Sequence, residues 1–291
     1  MDFQSIALPS ELRYPFTIAS ANIGRFLIYA KQLLKKINGI FELKKLIMIL
    51  TIDIGNSKIK VAVFKEHILV LKLDFDKNNF QNGIETIFKK YSQIQNTIIS
   101  SVSHLKTETK LFLENKTTVF YVNQEISFPY ANNYKTPQTL GVDRKVLVAG
   151  AVLKYPSQNC LVIDAGSCIT YDFVDAQKNY WGGAISPGLT MRYRAMHQFT
   201  AKLPLLQPEN PMSITGASSN HCMHSGVVYG VVFEMEGFMN NYLANYQDLT
   251  IILTGGDALF LAKRFKNTIF AQPNFLLESL NLLFQFNTND K

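Results

Sequence analysis

Two acidic residues, Asp53 and Asp164, each stand near the end of an apolar run, just before a turn of small polar residues. The first run reads LTIDIGNSKIKVAVF over residues 50–64, with Gly55-Asn56-Ser57 at the bend. The second reads LVIDAGSCITYDFVD over residues 161–175, with Gly166-Ser167 at the same place. A turn rich in backbone N–H and hydroxyl donors beside a carboxylate can hold a phosphate and its metal ion together. Taken singly, each stretch is equally an ordinary hairpin whose acid and small residues fit the turn. Recurrence of the acid and the glycine at one offset points instead to two related lobes facing each other across a nucleotide. Thr254-Gly255-Gly256-Asp257 follows an apolar run and precedes another. Adjacent glycines there would let the backbone approach a flat adenosine face; alone, the stretch is a plain strand-to-helix turn. No Gly-x-x-x-x-Gly-Lys-[Ser/Thr] loop occurs, nor a Gly-x-Gly-x-x-Gly after a strand, so P-loop and Rossmann nucleotide binding are not signalled.

The elements that must carry these turns follow from periodicity. Alternation through Ile59, Val61 and Val63 predicts a strand returning from the first turn, and Ile169, Tyr171 and Phe173 predict its counterpart. Residues 69–75 predict a further strand, 79–91 a helix, and 97–102 a short strand. A helix over 106–114 and a strand over 118–122 come next, then a polar loop over 132–139. Residues 141–154 predict a helix stopped before Pro156. A long helix over 226–246, with Met235 and Phe238 as candidates for an interface or a core face, leads to a strand over 249–253. A hairpin followed by strands alternating with helices describes an α/β lobe with a mixed sheet.

With 47% hydrophobic residues among 291, the chain can bury a sizeable core and form two lobes, here 48–157 and 158–291. Of the net charge of +7, +4 falls in residues 1–47, so the remainder is nearly balanced and nothing in it demands nucleic acid. Residues 21–46 could make one basic amphipathic helix, interrupted at Gly39, that binds an acidic surface or docks on the body. More plainly, Met48 is the true start and residues 1–47 are an extension outside the fold. Cys160, Cys168 and Cys222 cannot all pair and lack zinc-type spacing; Cys160 and Cys168 flank or sit in the apolar second hairpin, which suits buried free thiols in a reducing compartment. His221, Cys222 and His224 are expected near the surface rather than on a metal. No apolar run reaches the ~18 residues of a membrane span, and the start lacks a signal-like pattern. A cytoplasmic protein with no membrane partner is expected.

Two acid–turn hairpins plus a Gly-Gly turn form the layout of the actin, hexokinase and Hsp70 superfamily. Its fold is α/β, with two ribonuclease H-like lobes of mixed sheet flanked by helices. Within it, five stretches occur in order: Asp53-Ile-Gly-Asn-Ser, Leu140-Gly-Val-Asp143-Arg144, Asp164-Ala-Gly-Ser, Gly182-Gly-Ala-Ile-Ser-Pro-Gly188 and Thr200-Ala-Lys-Leu-Pro204. Together they resemble the type III pantothenate kinases, from Met48 to about Leu280.

The resemblance implies ATP-dependent phosphorylation of the primary hydroxyl of pantothenate, the first step of coenzyme A synthesis. It assigns Asp53, Ile54, Gly55, Asn56, Ser57, Lys58, Ile59 and Lys60 to the first phosphate loop, with Asp53 near Mg2+. Ser167, Gly255 and Gly256 would also face ATP. Asp143 would be the general base. Tyr134, Gly141, Val142, Arg144 and Ser219 would contact substrate, and Asp164 would hold a monovalent cation, K+ or NH4+. A homodimer with active sites completed across its interface is implied as well. An alcohol must lose its proton during phosphoryl transfer, and a carboxylate is a suitable acceptor. Arginine presents a planar fork suited to carboxylate or phosphate. In a bland role, Asp143 would only complement a helix N-terminus, worth ~0.5 kcal/mol, and Arg144 would form a surface ion pair. Two departures stand out: Gly-Ser-Cys replaces the family's usual Gly-Thr-Ala, and Ser219 replaces a threonine, with hydroxyls retained in both. The competing expectation is a non-catalytic, nucleotide-binding accessory protein of the same fold.

Overall fold

Alternate residues of the first hairpin face opposite ways, and both faces are apolar. Leu50, Ile52, Ile54, Ile59, Val61 and Val63 share one core, whereas Ile49, Ala62 and Phe64 belong to another. Strands buried on both sides must lie inside a sheet covered on both faces. The computed structural model describes residues 48–101, 105–122, 126–265 and 269–289. The expected extension and its helix over 21–46 therefore lie outside the described residues, as does the last residue of the strand expected over 97–102.

The first sheet contains β1 (Met48–Ile54), β2 (Ile59–Lys65), β3 (Ile68–Phe75), β4 (Ile94–Ser101) and β5 (Thr118–Tyr121), in the order β3-β2-β1-β4-β5. The hairpin strands β1, β2 and β3 pair antiparallel, while β4 and β5 join in parallel. Helices α1 (Phe80–Lys90) and α2 (Thr107–Lys116) cover one face, burying Phe80, Ile84, Ile87 and Leu113.

The second sheet contains β6 (Ala131–Asn132), β7 (Asn159–Ala165), β8 (Cys168–Val174), β9 (Asn179–Pro187), β10 (Leu249–Thr254) and β11 (Phe270–Ala271). Its order is β11-β10-β7-β8-β9-β6. Strands β7 to β11 thus repeat the order and the parallel or antiparallel sense of β1 to β5, with β6 added at the edge. The internal repeat read from the two hairpins extends to whole sheets.

Between the sheets lie α3 (Val142–Lys154) and α7 (Phe275–Asn289). Their apolar residues, Val146 and Leu280 among them, share one core with Ile49 and Phe64 of the first sheet and Val162 and Tyr180 of the second. A Cβ at Gly150 of α3 would lie 1.8 Å from Ser279 Oγ on α7, so the two helices meet almost backbone to side chain. The outer face of the second sheet is covered by α4 (Leu189–Gln198), α5 (Ser219–Asn245) and α6 (Ala258–Ala262).

Helix α5 starts earlier than the expected residue 226. The Ser218 side chain caps it by accepting from His221 N at 3.3 Å, and Gly226 has open space around it, so the helix runs straight through. Met235 is fully buried and Phe238 stacks on Tyr171 with ring centroids 4.1 Å apart, which settles both on the core side of α5. His224 is also buried, sharing a hydrogen bond with Tyr193 Oη at 2.9 Å, contrary to the expected surface position. Helical spacing places it with Met223, Val227 and Val228 on the apolar face.

Candidate active site

Asp53 is the penultimate residue of β1, and Asp164 holds the same place in β7. In parallel register beside them stand two hydroxyl residues, Ser100 on β4 and Thr254 on β10. Ser100 Oγ donates to Asp53 Oδ1 at 2.8 Å. Each turn is closed by its glycine amide: Gly55 N donates to Lys58 O at 3.1 Å, and Gly166 N to Cys168 O at 3.0 Å. The tips of the turns then meet, with Ser57 Oγ 3.3 Å from Ser167 Oγ across the gap between the two sheets. The Gly-Gly turn joins them. Gly255 has φ +98, a conformation that L side chains rarely adopt, and a Cβ there would lie 2.4 Å from both Ala165 O and Asp164 Oδ1. Asp257 N completes the contact by donating to Ala165 O at 3.0 Å.

Charge at this junction is acidic. Burial pushes the Asp53 carboxyl up, the Ser100 hydrogen bond and Lys60 pull it down, and Asp143 pushes it up again. Burial likewise pushes Asp164 up, to about 7; Lys60 opposes this, while Asp143, Asp53 and Asp172 add to it. These carboxylates therefore sense one another, and Lys60 is the cation that both Asp53 and Asp164 sense. Carboxylate and hydroxyl oxygens are the donors that hard cations prefer. Among the described residues no group of three or more His, Cys, Asp or Glu side chains could hold a metal ion.

Asp143 and Arg144 open α3, which brings them to the same junction. Asp143 Oδ1 accepts from Arg144 N at 2.8 Å, and a Cβ at Gly141 would crowd that oxygen at 2.4 Å. The glycine before the acid therefore leaves room for the carboxylate. Arg144 is buried, and its guanidinium meets Asp172 on β8: Nε lies 2.9 and 3.1 Å from the two carboxylate oxygens, and Nη2 lies 2.7 Å from Oδ1. Burial works against the Arg144 charge, yet hydrogen bonding and attraction from Asp172, with help from Tyr180 and Tyr134, raise its pKa above the usual arginine value. The guanidinium also sits 5.7 Å from the centre of the Tyr134 ring, which stacks on Tyr180.

Of the remaining expected site residues, Asn56, Ser57 and Lys58 are exposed on the first turn, as is Gly256 on the third. Ile54 and Ile59 are core residues whose side chains are buried. Ser219 is exposed at the start of α5, and no hydrogen bond or ion pair joins it to the acidic junction among the described residues. The cysteines are all free, with Cys160 buried, Cys168 half-buried and Cys222 exposed. The expected burial holds fully for Cys160 and in part for Cys168. Asp172, Tyr180 and Ser100 were not anticipated. A signal for the first was present: Asp172 is an acid inside the apolar alternation Ile169-Thr-Tyr-Asp-Phe-Val174.

A family model described as type III pantothenate kinase matches residues 49–241. A type III pantothenate kinase of Flavobacterium psychrophilum is 51% identical over 239 residues, covering 82% of this chain and 99% of the relative. One from Bacteroides fragilis is 38% identical over 242 residues, covering 82% and 98%. Among solved structures, a conserved Baf family protein from Campylobacter jejuni matches with a TM-score of 0.54 at 21% identity, over 82% of this chain and 99% of that one. This last likeness bears on the fold alone.

Proposed function

This chain belongs to the type III pantothenate kinase family, and we propose that its reaction takes place where the three turns converge. The protein transfers a phosphoryl group from ATP to pantothenate, giving 4'-phosphopantothenate in the first step of coenzyme A biosynthesis. The observation that carries the placement is the approach of Ser57 to Ser167, at 3.3 Å, from two turns at equivalent places in repeated sheets.

Phosphoryl transfer passes through a loose transition state, so the protein mainly positions groups and balances charge. The turns at residues 53–60 and 166–167 and the Gly255-Gly256 backbone surround the nucleotide. Asp53 would hold Mg2+ bound with ATP, and the ion would offset phosphate charge during transfer. Asp143 accepts the proton of the primary hydroxyl, its carboxylate oriented by the Arg144 amide. Arg144 and Tyr134 bind pantothenate, with Gly141 and Val142 lining the approach. Asp164 would hold K+ or NH4+, whose charge would favour the ionised form of a carboxyl that burial pushes up to about 7.

Residues 48–157 and 158–291 act as the two lobes, with residues 1–47 an extension outside them. Two copies form a homodimer, in which Ser219 of one subunit reaches the substrate of the other and half-exposed Phe233 of α5 is covered. Among the described residues no helix is long and apolar enough to cross a membrane, and the proposed location is the cytoplasm. Turnover of pantothenate by the full chain, with ATP and Mg2+ and with potassium, ammonium or tetramethylammonium as the sole monovalent cation, tests the cation role. Activity that needs K+ or NH4+ and is lost in Asp164→Asn supports it. Equal turnover in tetramethylammonium removes it.

A further inference from the structure

Asp172 is fully buried in the middle of β8, where it stands opposite Gly183 of β9. A carboxylate at such a position is unfavourable unless it is paired and hydrogen-bonded. Here it accepts from Arg144 Nε and from Tyr180 Oη, the latter at 2.6 Å. Arg144 is tied at its other end too, because its backbone amide donates to the carboxylate of Asp143. A continuous chain therefore runs Tyr180–Asp172–Arg144–Asp143, from the interior of the second sheet to the proposed general base. The guanidinium is also bounded on one side by Tyr134, whose ring stacks on Tyr180. That ring lies against Gly182, where a Cβ would come within 2.9 Å of it.

One detail gives the pair a direction. Although Nη2 is 2.7 Å from Asp172 Oδ1, it has no aligned hydrogen-bond acceptor among the described residues despite being buried. Asp172 thus engages the Nε edge of the fork, and Nη2, in ion-pair contact with the same carboxylate, still lacks an aligned acceptor. A buried donor without an acceptor is costly, and an anionic oxygen of the bound substrate or of the transferring phosphoryl group would satisfy it.

We propose that Asp172 is a positioning residue: it fixes the rotation of the Arg144 guanidinium so that Nη2 keeps a donor for an anionic oxygen in the reacting complex. This rests on the role of Arg144 in substrate binding given above. Asp172 itself touches no reactant and acts through Arg144 alone.

A double-mutant comparison tests it, using the full chain with ATP, Mg2+ and pantothenate. The variants are Asp172→Asn, Arg144→Ala and the two combined, with kcat and KM for each substrate. A misoriented fork is expected to lower kcat/KM by up to about 100-fold in Asp172→Asn, the scale of a 1 Å misplacement in an active site. The combined variant should then be no worse than Arg144→Ala alone. The kinetic parameter that moves identifies the oxygen: KM for pantothenate for a substrate carboxylate, kcat for the phosphoryl group. Tyr180→Phe removes one support of Asp172 without unpairing the arginine, and its smaller loss should likewise vanish in the Arg144→Ala background. This variant decides the matter if Asp172→Asn does not fold. Losses that multiply in either combined variant would overturn the positioning role. An Arg144→Ala enzyme with unchanged kinetics would instead refute the underlying assignment of Arg144.

Discussion

Gly255 and Gly256 are adjacent, yet the structure assigns them opposite sensitivities. At Gly255 the backbone has φ +98, and a methyl group would lie 2.4 Å from both Ala165 O and Asp164 Oδ1. A side chain in the left-handed region costs roughly 1–2 kcal/mol. Moving a strand carbonyl out of overlap costs about 1–3 kcal/mol more, as overpacking does elsewhere. Gly255→Ala should therefore lose about 3 kcal/mol, a fall in Tm of roughly 6–12 °C for a protein of this size. Because the methyl also displaces Asp164, the KM for ATP should rise in whatever fraction folds. At Gly256 nothing lies within 4 Å of an added Cβ. Gly256→Ala should keep its stability within about 0.5 kcal/mol and show its effect only as a higher KM for ATP. Thermal unfolding and steady-state kinetics of the two variants side by side are the assay. Wild-type stability in Gly255→Ala, or a greater loss of stability in Gly256→Ala, would refute the packing of this turn against β7.

Other consequences are open to equally simple tests. Gly150→Ala should destabilise the protein by about 1–3 kcal/mol in urea unfolding, since Ser279 leaves no space for a methyl between α3 and α7; an unchanged midpoint would contradict that contact. Glu234 accepts from Tyr171, Ser186 and Arg192. Burial alone would raise its pKa, but these hydrogen bonds and the Arg192 charge hold it below 4.5. Its stabilisation is therefore present above pH 4.5 and lost as pH falls through the lower folded value. Glu234→Gln should be less stable than wild type by about 1–2 kcal/mol at pH 7, with the gap closing in acid, because the site is partly exposed. Burial pushes the Cys160 thiol up to about 12, whereas Cys222 is exposed. A thiol reagent at pH 8 should label Cys222 in the native protein and Cys160 only after unfolding; rapid native labelling of Cys160 would show that β7 is not packed as described.

The parts of the site legible in sequence are those whose partners are local. Asp53 and Asp164 announce themselves because acid, glycine and return strand recur within fifteen residues, and the fold only had to bring the two turns together. Thr254 to Asp257 gave only adjacent glycines after an apolar run, which alone read as a plain strand-to-helix turn. What the chain does not display is pairing across long separations. Arg144 and Asp172 are separated by a helix and a strand, so neither composition nor period links them, although an acid amid apolar residues of β8 hinted at a buried partner. Helix α7 comes last in sequence yet packs on α3 and the first sheet; periodicity shows that a helix has an apolar face and not what covers it. Helix α5 begins at Ser219 rather than at the expected 226, because the cap at Ser218 and the packing around Met223 and His224 extend it.

The most direct test of the account is the kinetics of Asp143→Asn. The substitution keeps the shape of the side chain and removes its capacity to take a proton, at a position whose carboxylate is held by the Arg144 amide. If Asp143 is the base, kcat for pantothenate should fall about 10²–10⁴-fold, with ATP binding and Tm close to wild type. Turnover within a factor of about two of wild type would contradict it, because a general base cannot be removed at so small a cost in rate.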